Sequence, residues 1–404
     1  MARLLASFFL LMAGAHAAED QRPEGLNGAT WQFGPLNRWA YTHMSEVLPS
    51  KPIRSDPLAI RALEGEGSAP FEIELAGART AIEAAMAAQY VDGLLVLKDG
   101  RVVVERYAGT HGPDRTHLLW SVSKTITSLV AASVIADGLV DPDATVASYV
   151  PELAGSGWGP DPVRALLDMR DGSNWTEDYA APDSTVRRQD CADGLLAGPD
   201  CADQPVIGNY RFLPDVGRDN GRAGTFVYKS GTTDVIAWVL EAATGKRFAD
   251  LVSERIWQPI GAERDAGITV DVGGFTLASG GMHATLRDLG RVGLLMLARG
   301  RVGDVEVLPT AWFDDLFSRP GDPDWQAWAA DGASPYYRSF VWGLGDGRGT
   351  VQARGVHGQF IQVSPASNVV IVLQSSWPDA EGGANGVGEA YAQALLAAIE
   401  RAVR

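Results

Sequence analysis

An α/β (α+β) fold is predicted from the order of the sequence patterns. It has one antiparallel sheet, built from both chain ends and flanked by helices, and a mostly helical domain inserted between them. Runs typical of strands lie near both termini, and helical periodicity dominates the middle of the chain. At 404 residues the chain is longer than one compact core usually holds. A sheet with one helical insertion gives each part a core of its own.

Strand signals place the sheet near the two ends. Two β-rich runs surround Asp99-Gly100 in GLLVLKDGRVVVERY, and this dipeptide predicts a hairpin because it favours tight hairpin turns. The C-terminal runs are SFVWGLG, FIQVSP and NVVIVLQSS. We therefore assign residues 18–130 and 335–404 to the sheet domain, and residues 131–334 to the helical insert.

Helical periodicity marks several segments outside these strands. Residues 79–90 show it, and so does the apolar segment from Ser121 to about Asp137, where Gly138 predicts the end of the helix. Within the insert the strongest helical pattern is TTDVIAWVLEAATG, and GEAYAQALLAAIERAV predicts a C-terminal helix. Residues 18–75 are rich in Pro and Gly and predict an extended, irregular wrap.

The charge of the chain excludes two classes of partner. The formal net charge is −16, with 50 acidic and 34 basic residues. So acidic a protein repels phosphate backbones and anionic lipid, which argues against nucleic-acid or membrane-surface binding. A small molecule is the expected partner, and whether the chain forms a homodimer stays open.

The N-terminus predicts a signal peptide at residues 1–17. Arg3 is a short positive region, Leu4 to Ala13 is an apolar core, and Ala15-His16-Ala17 is a small-x-small cleavage site. A buried N-terminal helix is the alternative, but the polar EDQRPEG that follows offers it nothing to pack on. Cleavage near Ala17 predicts a periplasmic or secreted protein without a membrane anchor.

The two cysteines of the chain are Cys191 and Cys201, in DCADGLLAGPDC. In an exported protein, an even count at close spacing predicts a disulfide. A metal site is the alternative, but it needs more ligands, and this loop contains no histidine. The histidines elsewhere have no ligand spacing, so we expect neither a metal nor a cofactor.

Ser121 and Lys124 form the chain's single Ser-x-x-Lys motif, and the chain has only five lysines. It has no G-x-S-x-G elbow, no H-E-x-x-H and no phosphate-binding loop motif. Residues three apart share a helix face, and burial lowers the pKa of a lysine, so Lys124 could take the proton of Ser121. The alternative is a helix start capped by Ser121.

Two further elements point to the same chemistry. Tyr228-Lys229-Ser230 lies just before a strong helical pattern, where a phenol could enter a cleft; the alternative is a core tyrosine. RGVHGQFIQVSP is a Gly-flanked entry to a strand whose backbone N–H could stabilise an oxyanion, and an ordinary strand with a glycine bulge is the alternative.

In this order the three elements resemble the serine β-lactamase and penicillin-recognising superfamily, whose pattern is S-x-x-K, Y-x-N or S-x-N, then K-T-G or an H-x-G-like variant. The nearest resemblance is to its class C-like esterase/amidase branch, the 6-aminohexanoate-dimer hydrolases among them. It extends over nearly the whole mature chain and includes HLLWSVSKT, NWTEDYAAP, GVHGQ and SSWPDA. The resemblance implies a β-lactamase/transpeptidase-like fold.

The resemblance also implies roles for particular residues. Ser121 would be the acylated nucleophile, Lys124 its base, and Tyr228 a proton relay to the leaving group. The backbone N–H groups of Ser121 and Val356 would form the oxyanion hole. The positions that match substrate-binding residues of the family are Tyr179, as the tyrosine of a flexible loop, Asp190, as the carboxylate facing a substrate's amino end, and Ser230, Ser279 and Trp342.

Departures from the family pattern bear on the substrate. The K-T-G lysine is absent, and Arg354 is the nearest cation, which argues against penicillin recognition. Ser230 stands where an asparagine is common, which favours the esterase/amidase branch. We therefore expect a serine hydrolase of small esters or linear amides. A β-lactamase or D,D-peptidase is one alternative, and a non-catalytic ligand-binding module on the same fold is another.

Overall fold

The computed structural model describes residues 21–318, 321–322, 335–382 and 387–404. The predicted signal peptide, residues 1–17, lies outside them. The helices are α1 Asn37–Ala40, α2 Met44–Val47, α3 Ile82–Ala88, α4 Val122–Ala136, α5 Val146–Tyr149, α6 Val163–Leu167, α7 Thr185–Asp193, α8 Asn209–Phe212, α9 Ser230–Thr244, α10 Phe248–Val252, α11 Leu286–Leu297, α12 Thr310–Phe317 and α13 Glu389–Val403. The strands are β1 Ser50–Ile53, β2 Glu72–Leu75, β3 Ala78–Ala81, β4 Val91–Lys98, β5 Arg101–Tyr107, β6 His117–Leu118, β7 Ala266–Thr269, β8 Met282–Ala284, β9 Arg301–Val302, β10 Val305–Glu306, β11 Tyr336–Arg338, β12 Val341–Gly343, β13 Val351–Gly355, β14 Gln359–Ser364 and β15 Val369–Ser375.

A seven-stranded antiparallel sheet joins the two ends of the chain, as the sequence predicts. Its strand order is β11-β12-β13-β14-β15-β4-β5, so that the last strand, β15, pairs with β4 from the N-terminal part. The hairpin at Asp99-Gly100 is confirmed: Lys98 pairs with Arg101, and both turn residues have positive φ, 53° and 77°.

Helices cover both faces of this sheet. On one face, α3 and α13 pack on Leu94 and Val96 of β4. On the other, Leu95 and Leu97 join the larger core, which includes α4, α9 and α11. Successive side chains of a strand point to opposite faces, so the unbroken apolar run of β4 serves both cores.

The helix predicted from Ser121 is confirmed with almost the same bounds. It is α4, Val122–Ala136, and Gly138 follows it with φ +71°, in the left-handed region that glycine adopts at helix ends. The helix contacts α9 and the sheet strands β13 and β14, and all but two of its residues are buried. It therefore packs between the seven-stranded sheet and α9.

Two expectations about the N-terminal region are wrong in part. Residues 79–81 belong to β3, and the helix predicted there is shorter, Ile82–Ala88. The region predicted as an irregular wrap contains α1, α2, β1 and β2. Strand β1 pairs with β7, more than 200 residues later in the chain, and no local pattern shows such a partner.

Elements of residues 131–334 also reach the sheet side of the molecule. Helix α11 packs on β15, β14 and β4, where Gly290 and Gly293 allow a close approach to Leu95 and Val370. Strands β7 and β8 lie between β1 and β6 in a four-stranded sheet. The division into two domains therefore remains a prediction, since strand pairing and helix packing both cross it. Among the described residues, no helix has the length and apolarity needed to span a membrane.

The contact between α11 and the sheet leads to a stability prediction. A Cβ on Gly293 would lie 2.4 Å from Val370 Cγ1, so Gly293→Val forces the helix away from the sheet. We expect a loss of about 2 kcal/mol in unfolding free energy, the usual cost of overpacking a core. Denaturant unfolding measures this loss, and Gly155→Val is the control, because a Cβ there meets open space. Equal stability of the two variants would contradict the packing described.

Candidate active site

Ser121 and Lys124 meet at the start of α4. The Lys124 amine donates hydrogen bonds to Ser121 Oγ at 2.8 Å, to Ser230 Oγ at 3.0 Å and to the carbonyl of Ser279 at 2.7 Å. The Lys124 side chain is 1% exposed. Ser121 makes no side-chain capping hydrogen bond, so the helix-cap interpretation of this motif is wrong. The hydroxyl instead faces the amine.

The backbone before Ser121 is held in an unusual conformation. Trp120 has φ +46°, a region that bulky residues rarely occupy and that costs energy. The ring of Trp120 stacks between Trp31, at 5.7 Å, and His357, at 5.4 Å. This aromatic stack holds the bend that presents Ser121.

Burial changes the acid–base properties of the lysine and the nearby tyrosine in different ways. Desolvation lowers the pKa of Lys124 to about 8, although the charges of Glu177 and Asp234 act in the opposite direction. Burial, together with the charge of Glu177, raises the pKa of Tyr228, while a hydrogen bond with Ser121 lowers it. The amine is therefore the group that can lose its proton near neutral pH, and the phenol keeps its own.

Tyr228 is positioned by its neighbours on both sides. Its ring stacks on Trp342 at 5.6 Å, and the Lys124 Nζ lies 5.2 Å from the ring centroid. The next residue, Lys229, is fully buried and donates from Nζ to Asp171 Oδ1 at 2.9 Å. This buried ion pair anchors the segment, so Lys229 has a structural contact and does not enter the cleft.

The end of β13 comes directly against the backbone of Ser121. A Cβ on Gly355 would lie 3.1 Å from the Ser121 nitrogen and 2.7 Å from the carbonyl oxygen of Leu119. Only glycine allows this approach, and the next residue, Val356, lines the same pocket as Ser121. In the described part of the chain, neither the N–H of Ser121 nor that of Val356 has a hydrogen-bond acceptor. The two donors are therefore free for a ligand oxygen.

Four of the five predicted substrate-binding residues line this pocket, and they are Tyr179, Asp190, Ser230 and Ser279. The fifth, Trp342, contacts the site through its stacking on Tyr228. The structure thus brings together residues that are separated by more than 150 positions in the sequence.

Asp190 reaches the pocket from α7. Burial raises its pKa to about 7, and Arg187, 3.3 Å away, acts against this rise. The predicted disulfide is confirmed: Cys191, next to Asp190, is bonded to Cys201 with a Cα–Cα distance of 5.3 Å. It fastens α7, and with it one wall of the pocket, to the following loop.

Glu177 is a half-buried acceptor that was not among the residues predicted from the sequence. Its Oε2 accepts hydrogen bonds from Trp175 Nε1 at 2.5 Å and from the Ser230 N–H at 2.8 Å. Its Oε1 accepts from the Tyr179 hydroxyl at 2.7 Å and from the Ser230 hydroxyl. In the sequence, only its position two residues before Tyr179 could have indicated a role for Glu177. Its contact with Ser230 could not be read from the sequence, because the two residues are 53 positions apart.

Arg354 does not stand free in the pocket. It forms an ion pair with Glu389, donates from Nε to Gln352 Oε1 at 2.8 Å, and lies over the Trp342 ring at 5.0 Å. Among the described residues, no cluster of His, Cys, Asp or Glu is arranged to hold a metal ion.

Comparison with known proteins agrees with this geometry. Residues 78–396 match the family model described as beta-lactamase, so the chain belongs to the β-lactamase family. It is 37% identical over 354 residues to the 6-aminohexanoate-dimer hydrolase of Paenarthrobacter ureafaciens, which covers 87% of this chain and 88% of that protein. The chain is thus a β-lactamase-fold hydrolase of the esterase and amidase type.

Solved structures show the same fold at lower identity. A candidate 6-aminohexanoate-dimer hydrolase from Bacillus anthracis superimposes with a TM-score of 0.82, at 24% identity, over 95% of this chain and 96% of that one. EstCE1, a hydrolase with promiscuous acyltransferase activity, matches with a TM-score of 0.59 at 18% identity, over 80% and 96% of the two chains. The predicted fold class is confirmed.

The raised pKa of Asp190 leads to a prediction about stability and pH. Its folded value, about 7, lies above its ordinary value of 3.8, so the folded state holds a proton that the unfolded chain has lost. Stability is therefore lost as the pH rises from about 4 to 7, by at most about 4 kcal/mol from this group. Between pH 4 and 7, the unfolding free energy of Asp190→Asn should therefore fall less than that of the wild type.

Denaturant unfolding at pH 4 and pH 7 measures the difference. Asp203→Asn is the matched control, because Asp203 is an exposed carboxylate in the next loop. A slope in Asp190→Asn equal to that of the wild type would show that Asp190 is ionised throughout.

Proposed function

We propose that the protein is a serine hydrolase that is acylated on Ser121 and hydrolyses small esters and linear amides. The contact of 2.8 Å between the buried Lys124 amine and Ser121 Oγ is the observation that carries this proposal. An amine with a lowered pKa can take the serine proton without a histidine, which makes the hydroxyl nucleophilic.

The remaining groups support the two chemical steps. The free N–H groups of Ser121 and Val356 would bind the oxyanion of the tetrahedral intermediate. Tyr228 keeps its own proton at neutral pH because its pKa is raised. It can pass a proton to the leaving group as it takes another from the Lys124 ammonium, which received it from Ser121. In the second step, water attacks the acyl-enzyme, and the same base removes a proton from that water.

An aminoacyl substrate such as 6-aminohexanoate dimer fits the pocket. The similarity to 6-aminohexanoate-dimer hydrolase favours it, and Asp190 offers a carboxylate to the amino end. Tyr179 lines the same pocket and would donate a proton to the leaving nitrogen of an amide. Ser279 and Trp342 would complete the wall around the substrate.

β-Lactam turnover has less support. Recognition of a penicillin carboxylate needs an available cation near the end of β13, and the cation at that position, Arg354, pairs with Glu389.

For the location of the enzyme, we propose export with removal of residues 1–17. The disulfide between Cys191 and Cys201 supports this, because such bonds persist in oxidising compartments.

Covalent labelling tests the nucleophile. We expect a fluorophosphonate to modify Ser121 alone, and an activated ester to give a burst of product, because the acyl-enzyme forms before it is hydrolysed. Mass spectrometry of the labelled protein identifies the site, and Ser121→Ala serves as the unlabelled control. Modification of another residue would reject the assignment, and turnover of nitrocefin at the rate of the esters would favour a β-lactamase.

Tyr179→Phe tests the division between amides and esters. An amine must be protonated as it leaves, whereas nitrophenolate leaves as an anion. We therefore expect kcat/KM for 6-aminohexanoate dimer to fall by about 100-fold and that for a p-nitrophenyl ester to change little. A parallel loss on both substrates would contradict the role of Tyr179 as a proton donor.

A further inference from the structure

Glu177 accepts four hydrogen bonds at the edge of the active site. Its Oε2 accepts from Trp175 and from the backbone of Ser230, which fixes the plane of the carboxylate. Its Oε1 accepts from the hydroxyl groups of Tyr179 and Ser230. All four partners are donors, an arrangement that suits the ionised carboxylate, which can only accept.

The same contacts connect Lys124 to Tyr179. Ser230 Oγ accepts from the Lys124 amine at 3.0 Å and donates to Glu177 Oε1. Tyr179 donates to that same Oε1 at 2.7 Å, and its ring lines the pocket that holds Ser121. One carboxylate oxygen therefore lies between the base and the tyrosine.

We propose that Glu177 is a positioning residue that connects the proton of Lys124 to the Tyr179 hydroxyl, so that amide hydrolysis depends on Glu177 and hydrolysis of activated esters does not. This inference rests on the proposed function, because it needs Ser121 to be acylated and Lys124 to act as its base. It adds a second proton path beside the one through Tyr228.

The proton balance of this path closes. Ser121 passes its proton to the neutral Lys124 amine as its oxygen bonds to the substrate carbonyl. The ammonium then passes a proton to Ser230 Oγ while the Ser230 hydroxyl proton moves to Glu177 Oε1. As the C–N bond breaks, Tyr179 protonates the leaving nitrogen and takes the proton held on Glu177. Lys124, Ser230, Glu177 and Tyr179 all return to their starting forms.

The charge of Glu177 has a second, measurable effect on Lys124. The charged or titratable groups that face the amine are Glu177, Asp234 on α9 and Tyr228. Both carboxylates favour the ammonium form of Lys124. Removing one of them makes the amine lose its proton at lower pH.

Glu177→Gln removes the charge and the proton carrier while keeping the size of the side chain. Glu241→Gln is the matched control: Glu241 also accepts from a tyrosine hydroxyl, that of Tyr210 at 2.9 Å, and from the N–H of Phe248 at 2.7 Å, but outside the pocket. The substrates are 6-aminohexanoate dimer and a p-nitrophenyl ester, measured across pH, with thermal unfolding to check that each variant is folded.

In Glu177→Gln we expect kcat/KM for the amide to fall by about 100-fold, and that for the ester to stay within about five-fold of the wild type. The acidic limb of the ester profile should move to lower pH, which a merely structural role would not produce. Glu241→Gln should show neither effect. Adding Glu177→Gln to Tyr179→Phe should cause no further loss on the amide, because both act on one path.

Equal losses on amide and ester, or an acidic limb that does not move, would overturn the proposal. If Glu177→Gln does not fold, Ser230→Ala replaces it, since it breaks the path between Lys124 and Glu177. Both activities should then fall, because Ser230 also holds the Lys124 amine, but kcat/KM for the amide should fall further than that for the ester. A wild-type protein that is not labelled on Ser121 would reject the proposed function itself, so the two failures are distinguishable.

Discussion

The Lys124 amine is buried, and the oxygens of Ser121, Ser230 and Ser279 replace the water molecules that would otherwise accept its hydrogen bonds. This exchange is the constraint on which the site depends. Burial without these oxygens would be costly, and exposure would leave the amine protonated at neutral pH. The fold must therefore bring three separate chain segments to one nitrogen atom, at the first turn of α4.

The architecture meets this requirement by placing α4 between the seven-stranded sheet and α9. Its first turn faces the end of β13, where Gly355 allows the strand to approach the Ser121 backbone. The start of α9 supplies Ser230 from the other side. Because both neighbours belong to the same large buried core, close packing on each side resists small displacements of the site.

Two carboxylates, those of Glu177 and Asp234, act on the Lys124 amine, and a third, that of Asp190, lines the same pocket as Ser121. Asp234 has its pKa raised to about 6 by burial, and Asp190 to about 7, while Glu177 is held by four donors. The charges of Glu177 and Asp234 keep the pKa of Lys124 from falling further, so the strength of the base depends on these two carboxylates.

Local sequence determined part of the site and part of the fold: the spacing of Ser121 and Lys124 on one helix face, the pairing of Cys191 with Cys201, and the Asp99-Gly100 hairpin of the sheet. These features depend on neighbours within a few residues or on one short loop, so the pattern itself carries the information. Only the tertiary structure decided the pairing of β1 with β7, the packing of α11 on the sheet, and the place of Glu177. Their partners lie tens to hundreds of residues away, and burial, which decides both contact and pKa, is a property of the packed chain alone.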